Sequence, residues 1–221
     1  LPLFRTRPII PPKNPRLPAA PVEYDRNYID ATLSILRQYF NTIDNFAAPF
    51  TNTYGGAYLQ FPYGAFSSDQ DQSTTANTAT LMTLNTTDFA NDVSIASSKI
   101  TVAIAGTYNL QFSAQFQNTD NAIQDISIWL KQNGTDIVGS TGLVSIPARK
   151  SASAGEEAHQ ITGWNYFVKM QANDYIEIYW STTLASVTIQ AYPTSTGPVR
   201  PSTQSVVATM TFVSALFPPV T

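Results

Sequence analysis

Residues 99–116, KITVAIAGTYNLQFSAQF, carry a period of two that decides how the rest of the chain is read. Ile100, Val102 and Ile104 alternate with smaller or polar residues, and beyond Gly106 the alternation resumes with Tyr108, Leu110 and Phe112. Phe116 continues it after an expected one-residue slip. Such alternation puts one row of side chains into a core and the other on the opposite face, the mark of a half-buried strand. Residues 125–139, DISIWLKQNGTDIVG, repeat the pattern around Asn133-Gly134, the dipeptide that best closes a two-residue hairpin. WNYFVKMQANDYIEIYWS (164–181), SVTIQAY (186–192) and QSVVATMTFVSALF (204–217) add strands rich in β-branched and aromatic residues. Seven or eight short strands with no helix between them predict an all-β, antiparallel sandwich or jelly-roll domain over residues 61–221.

The segment upstream reads differently. Seven of the first 21 residues are proline, and each fixes φ and removes a backbone donor, so residues 1–22 are expected to be extended and largely polyproline II. At roughly 3.1 Å per residue this arm reaches on the order of 60 Å. Arg5, Arg7, Lys13 and Arg16 give it four positive charges and no acid, interleaved with Leu3, Phe4, Ile9, Ile10 and Leu17. The whole chain carries −3, so everything from Glu23 onward carries about −7. A basic, apolar-studded arm on an acidic body predicts docking onto an acidic protein surface. Residues 23–60 then form an amphipathic helix and linker: Asp25 is the candidate N-cap, and Ile29, Leu33, Leu36, Phe40 and Ile43 recur at the spacing of a coiled-coil seam. Two heptads do not hold a helix alone, so it packs either on symmetry-related copies or on the body of its own chain. Pro49 and Tyr54-Gly55-Gly56 are expected to end it.

Composition narrows the chemistry. Only 12% of the 221 residues are charged and none is cysteine, which leaves packing and oligomerisation as sources of stability. No apolar run suits a membrane span or a leader, so synthesis in a cytoplasm and no membrane partner are expected. The single histidine, His159, stands near Glu156 and Glu157 in a Gly-Ser-Ala loop, where a solvated turn is the commoner arrangement than a metal site. No serine sits in a nucleophile elbow, and Asp120, Asp125, Asp136 and Asp174 fall in or beside expected turns, where aspartate serves local hydrogen bonding. Four charges in the arm would support only weak, salt-sensitive contact with nucleic acid. Arg149-Lys150 reads as an exposed loop. Trp129, Trp164 and Trp180 offer either a sugar-stacking platform or, more commonly, core and interface packing. The expectation is a protein that is not an enzyme and takes no cofactor and no metal.

In order, GTYNLQFSAQF, ISIWLKQNGTDI, MQANDYIEIYW and ATMTFVSALF resemble strand signatures of the tumour necrosis factor and complement globular-head jelly-roll superfamily, across residues 61–217. Asn173-Asp174 stands where that family has Gly-Asp, and Ser214 where it often has Gly. The resemblance implies a compact homotrimer, with Tyr108, Tyr166, Tyr175, Tyr179, Trp180 and Phe212 divided between core and three-fold interface. VEYDRNYIDATLSILRQYFNTIDNF, residues 22–46, resembles the start of small virion accessory proteins of tailed phages, cyanophages among them. Together these imply a trimeric virion structural protein. It would be a capsid decoration or cement protein whose arm docks on the major capsid protein or another virion protein. A tail or head fibre recognising a host-surface glycan is the alternative.

Overall fold

The computed structural model describes residues 13–19, 21–51, 61–151, 153 and 156–216, with helical side chains as far as Asn45. The chain divides into two compact units, Leu1–Gln60 and Phe61–Thr221.

In the first unit, Asp25 caps helix α1 (Arg26–Thr51): its Oδ1 accepts the backbone N–H of Asn27 at 2.8 Å, satisfying one of the donors that a helix start leaves open. The helix continues two residues beyond Pro49, later than the proline alone suggested. Residues 13–19 run beside it without regular structure, with Tyr28 Oη donating to Pro18 O and Tyr39 Oη to Asn14 Oδ1, both at 3.5 Å.

The second unit is all-β. Its first strands are β1 (Tyr63–Ser68), β2 (Thr80–Leu81), β3 (Thr86–Asn91), β4 (Val93–Ala96) and β5 (Lys99–Val102). Then follow β6 (Gly106–Asn118), β7 (Gln124–Gln132), β8 (Thr135–Asp136), β9 (Gly142–Ile146) and β10 (Ala158–Met170). The last are β11 (Tyr175–Thr182), β12 (Val187–Ile189), β13 (Ser195–Thr196), β14 (Val199–Arg200) and β15 (Val206–Ser214). One sheet has the order β10-β6-β15-β1-β3, with β12 also on β6; the other runs β4-β5-β11-β7-β8, with β2 on β11 and β9 on β7. The pairings within both sheets are antiparallel. Both sheets feed one apolar core, in which Phe116 of β6 meets Trp180 of β11 edge-on at 5.6 Å.

Strand β6 alternates without a break. Tyr108, Leu110, Phe112, Ala114 and Phe116 all point into the core, so the slip expected before Phe116 does not occur; Ala114 holds the place where a large residue was sought. Tyr108 is fully buried with its hydroxyl donating to Ile104 O at 2.7 Å, and burial, aided by the charge of Asp92, pushes its pKa up to about 12. Strands β6 and β10 pair from Gly106↔Met170 to Asn118↔Ala158. At Gly163 their approach leaves no room for a side chain, because a Cβ there would run into Phe112 O and the Ser113 Cα.

Asn133 (φ 51°) and Gly134 (φ 80°) close the β7–β8 hairpin with both residues left-handed, as a type I′ turn requires. The hairpin's second strand stops after Asp136, and β9 takes over the same edge of β7. A four-residue turn, 171–174, carries the chain from β10 in one sheet to β11 in the other. Asn173 adopts φ 71° there, a conformation glycine takes freely and asparagine tolerates, which accounts for asparagine in the Gly-Asp position.

Candidate functional site

The two sheets present very different faces to solvent. On the six-stranded sheet, the outward row of β6 is Thr107, Asn109, Gln111, Ser113, Gln115 and Gln117, without one charge. Cross-strand partners keep it so: Asn165 and Thr209 flank Gln111, Phe167 and Thr211 flank Asn109, and Gly163 and Val207 flank Ser113. Ile161 and Phe167 are 69% and 57% exposed on the same face, and Val207 and Val213 project beside them. At the end where the chain enters, Phe61 stacks on Phe212 at 5.8 Å and Tyr63 lies 6.0 Å from Phe89, leaving further aromatic surface open. Asn109 Oδ1 is buried with no hydrogen-bond partner. Lys169, His159 and Asp88 lie only at the margins. A water-facing sheet normally carries charge, so a neutral face with exposed aromatics is the surface of this unit best suited to protein cover.

The seven-stranded sheet carries a row of ionisable side chains on the side away from the core, Lys99 on β5, Glu177 on β11, Lys131 on β7 and Asp136 on β8, alternating in sign, with Glu177 itself buried. Lys99 Nζ lies 4.3 Å from the centre of the Tyr175 ring and Lys131 Nζ 4.4 Å from that of Tyr179. Tyr179 pairs across the strands with Trp129, ring centres 5.9 Å apart and planes tilted by 32°. The indole N–H of Trp129 donates to Asp136 Oδ1 at 2.8 Å, and Lys131 Nζ approaches the same oxygen at 3.5 Å.

The structure therefore separates the six aromatics. Trp180 and Tyr108 are fully buried core residues; Tyr166 and Phe212 pack against that core while partly exposed; Tyr175 and Tyr179 face outward among lysines. Of the three tryptophans, Trp164 packs edge-on against Phe112 at 4.9 Å and only Trp129 joins an outward platform.

In the N-terminal unit, the helix face toward residues 13–19 is that of Tyr28, Thr32, Ile35 and Tyr39. The seam of Ile29, Leu33, Leu36, Phe40 and Ile43 lies about a quarter-turn away, with Ile29, Leu33 and Phe40 exposed by 40%, 45% and 57%. Lys13, Arg16 and Leu17 of the arm are exposed. Leu3, Phe4, Arg5, Arg7, Ile9 and Ile10 lie outside the described residues.

The acidic residues considered for catalysis are occupied locally. Asp174 accepts Asn133 Nδ2 at 2.8 Å, the Gln171 N–H at 2.7 Å and Gln132 Nε2 at 3.1 Å. Burial alone would raise its pKa, but these three donors together hold the carboxyl below the usual carboxylate value. Asp120 receives Gln124 Nε2 at 2.6 Å and Asp125 receives the Ser145 hydroxyl at 2.6 Å. His159 Nδ1 lies 3.1 Å from Tyr192 Oη, and Arg149 Nε donates to Asn121 Oδ1 at 2.7 Å. Burial, then Asp71 and Glu157, raise the pKa of Tyr192 against a smaller opposing effect of Arg200. Among the described residues no group of three histidine or acidic side chains is placed to hold a metal, and no helix is long and apolar enough to cross a membrane.

No protein-family model matches the chain, and the search of curated proteins gave no match.

The neutral row on β6 is legible in the sequence, since every second residue from Thr107 to Gln117 is uncharged. The Trp129–Tyr179 pair is not, because strand order between the two segments sets it.

Proposed function

We propose that the protein is a non-enzymatic, homotrimeric virion structural protein, a capsid decoration protein whose N-terminal unit attaches it to the particle. Its β unit is a jelly roll of the tumour necrosis factor and complement globular-head type. The strand orders β10-β6-β15-β1-β3 and β4-β5-β11-β7, with β9 beside β7, support that topology.

The observation that carries the reading is the contrast between the two outward faces. A subunit built to stay single has no use for a sheet centre without charge, bordered by Ile161, Phe167 and Val213, while its opposite sheet is laced with lysine and carboxylate. Copies meeting through the neutral face bury amides and hydroxyls that can pair with one another, and leave the charged face in water. The exposed helical seam supports the same assembly, because three parallel copies bury Ile29, Leu33 and Phe40 against each other. Attachment through several arms at once turns a modest single-arm affinity into firm binding.

The test is attachment to purified particles by co-sedimentation. The full chain is expected to pellet with particles and a chain lacking residues 1–22 is not, while both remain trimeric. Unchanged attachment of the shortened chain, or a monomeric full chain at micromolar concentration, refutes the reading.

A further inference from the structure

We propose that Asn133 is a site of slow chemical modification, loss of its side-chain amide to give aspartate and isoaspartate, and that Asp174 and the Tyr175 N–H hold that reaction back in the folded chain. This chemistry is independent of particle attachment and uses other residues.

Asn133-Gly134 is the only Asn-Gly dipeptide in the chain. Glycine has no side chain to shield its backbone nitrogen, so it leaves the preceding asparagine more open to attack than any other residue does. In the first step the Gly134 nitrogen bonds to Asn133 Cγ, the Cγ–Nδ2 bond breaks, and Nδ2 leaves as ammonia with the proton that Gly134 gives up. The product is a five-membered succinimide. Water then opens the ring at one carbonyl to give aspartate or at the other to give isoaspartate. Both residues are exposed at the tip of the β7–β8 hairpin, so that water comes from solvent.

The fold opposes the first step. Asn133 Nδ2 donates to Asp174 Oδ1 at 2.8 Å, and Asn133 Oδ1 accepts the Tyr175 N–H at 3.0 Å, so both ends of the amide are held against the start of β11. The Asn133 N–H donates to Tyr175 O at 3.0 Å, which ties the main chain of the same residue to the same place. The clamp is itself anchored, because Asp174 also accepts the Gln171 N–H at 2.7 Å and Gln132 Nε2 at 3.1 Å. Ring closure needs the amide to swing toward Gly134, and its two hydrogen bonds must break first. The bond to a carboxylate is about twice as strong as one between neutral groups, which makes Asp174 the firmer hold.

Neither product fits the place that the asparagine occupies. Aspartate at 133 turns the donor facing Asp174 Oδ1 into an acceptor and sets two carboxylates against each other at hydrogen-bond distance. Isoaspartate adds a methylene to the main chain of a two-residue turn that closes with φ 51° and 80°. Either product releases the β7–β8 hairpin from the 171–174 turn that joins the two sheets, so one modification loosens both.

The full folded chain is aged in warm neutral buffer beside a synthetic peptide of residues 126–149. Trypsin then frees residues 132–149, in which Asn133 is the only asparagine, and chromatography with mass spectrometry counts the amide, aspartate and isoaspartate forms. Wild type is expected to convert about tenfold or more slowly than the peptide. Asp174→Ala is expected to approach the peptide rate, and Asp174→Asn, which keeps an acceptor oxygen, to fall between. Gly163→Ala, strained by overpacking elsewhere, controls for general loss of stability and is expected to convert at the wild-type rate while folded. Wild type as fast as the peptide, Asp174→Ala no faster than wild type, or Gly163→Ala accelerated as much as Asp174→Ala overturns the proposal. Should Asp174→Ala not fold, the comparison of Asp174→Asn with wild type decides alone, and equal rates there overturn the proposal.

Discussion

Replacing Leu33 and Phe40 together with aspartate tests whether the helical seam joins subunits. Both lie on one stripe of α1, and they are 45% and 57% exposed in the single chain. Complete burial of a large apolar side chain is worth about 1.5–3 kcal/mol, so covering the part still open at these two positions gains about 2 kcal/mol per chain. Summed over three chains the double variant forfeits about 6 kcal/mol of assembly energy, before any cost of crowding six carboxylates around one axis. At about 1.4 kcal/mol per decade, that lowers the trimerisation constant by roughly four orders of magnitude. Sedimentation velocity over a dilution series reads it directly: wild type is expected to stay trimeric at concentrations where the variant is monomeric. Thermal unfolding of the β unit, followed by near-ultraviolet circular dichroism, is expected to be unchanged in a monomeric reference state. A variant that keeps trimer mass throughout the dilution series refutes the seam as an interface; a collapsed β-unit melt shows that the stripe supports the body instead.

Three further outcomes follow from particular contacts. Gln111→Glu places a carboxylate at the centre of the neutral face, between Asn165 and Thr209; light scattering is expected to report weakened assembly, while the monomer's stability stays within about 0.5 kcal/mol. Gly163→Ala meets backbone, not a movable side chain, so β10 must separate from β6, and urea denaturation is expected to show a loss at or above the usual 1–3 kcal/mol of overpacking. Asp174 has its folded pKa lowered, so its stabilisation is full above the unfolded value near 3.8 and disappears as pH falls through the folded value. The stability gap between wild type and Asp174→Asn is therefore expected to be widest near neutral pH and to close in acid; a gap that widens in acid contradicts the hydrogen-bond account.

Alternation made the β class legible, and Asn133-Gly134 marked its turn, because both signals are local. In YIEIYW the same alternation sorts Ile176, Ile178 and Trp180 to one side and Tyr175, Glu177 and Tyr179 to the other, although Glu177 is itself buried. Alternation says nothing about which sheet a strand joins. Strands β10 and β11 read as neighbours in sequence yet belong to opposite sheets, since a turn with a left-handed Asn173 redirects the chain. Ala114 was too small to register as a core position, which made an unbroken strand look slipped. The helical seam was legible from spacing, whereas spacing does not say what covers it.

The adjacency of β1 and β15 has a mechanical side. Ser68 pairs with Val206 at one end of this antiparallel ladder, and the Phe212 N–H reaches Pro62 O at the other. The chain thus enters the β unit at Phe61 and passes Leu216 from the same end. Tension applied between those two points would peel the strands apart bond by bond, as a zipper opens, and would meet little resistance. Tension that enters at Phe61 and leaves through the broad face of the sheet instead loads the β1–β15 and β6–β15 ladders in shear, many bonds at once. If the protein is tethered to a particle shell as proposed, it would gain strength by passing the load sideways through these ladders instead of between its two ends.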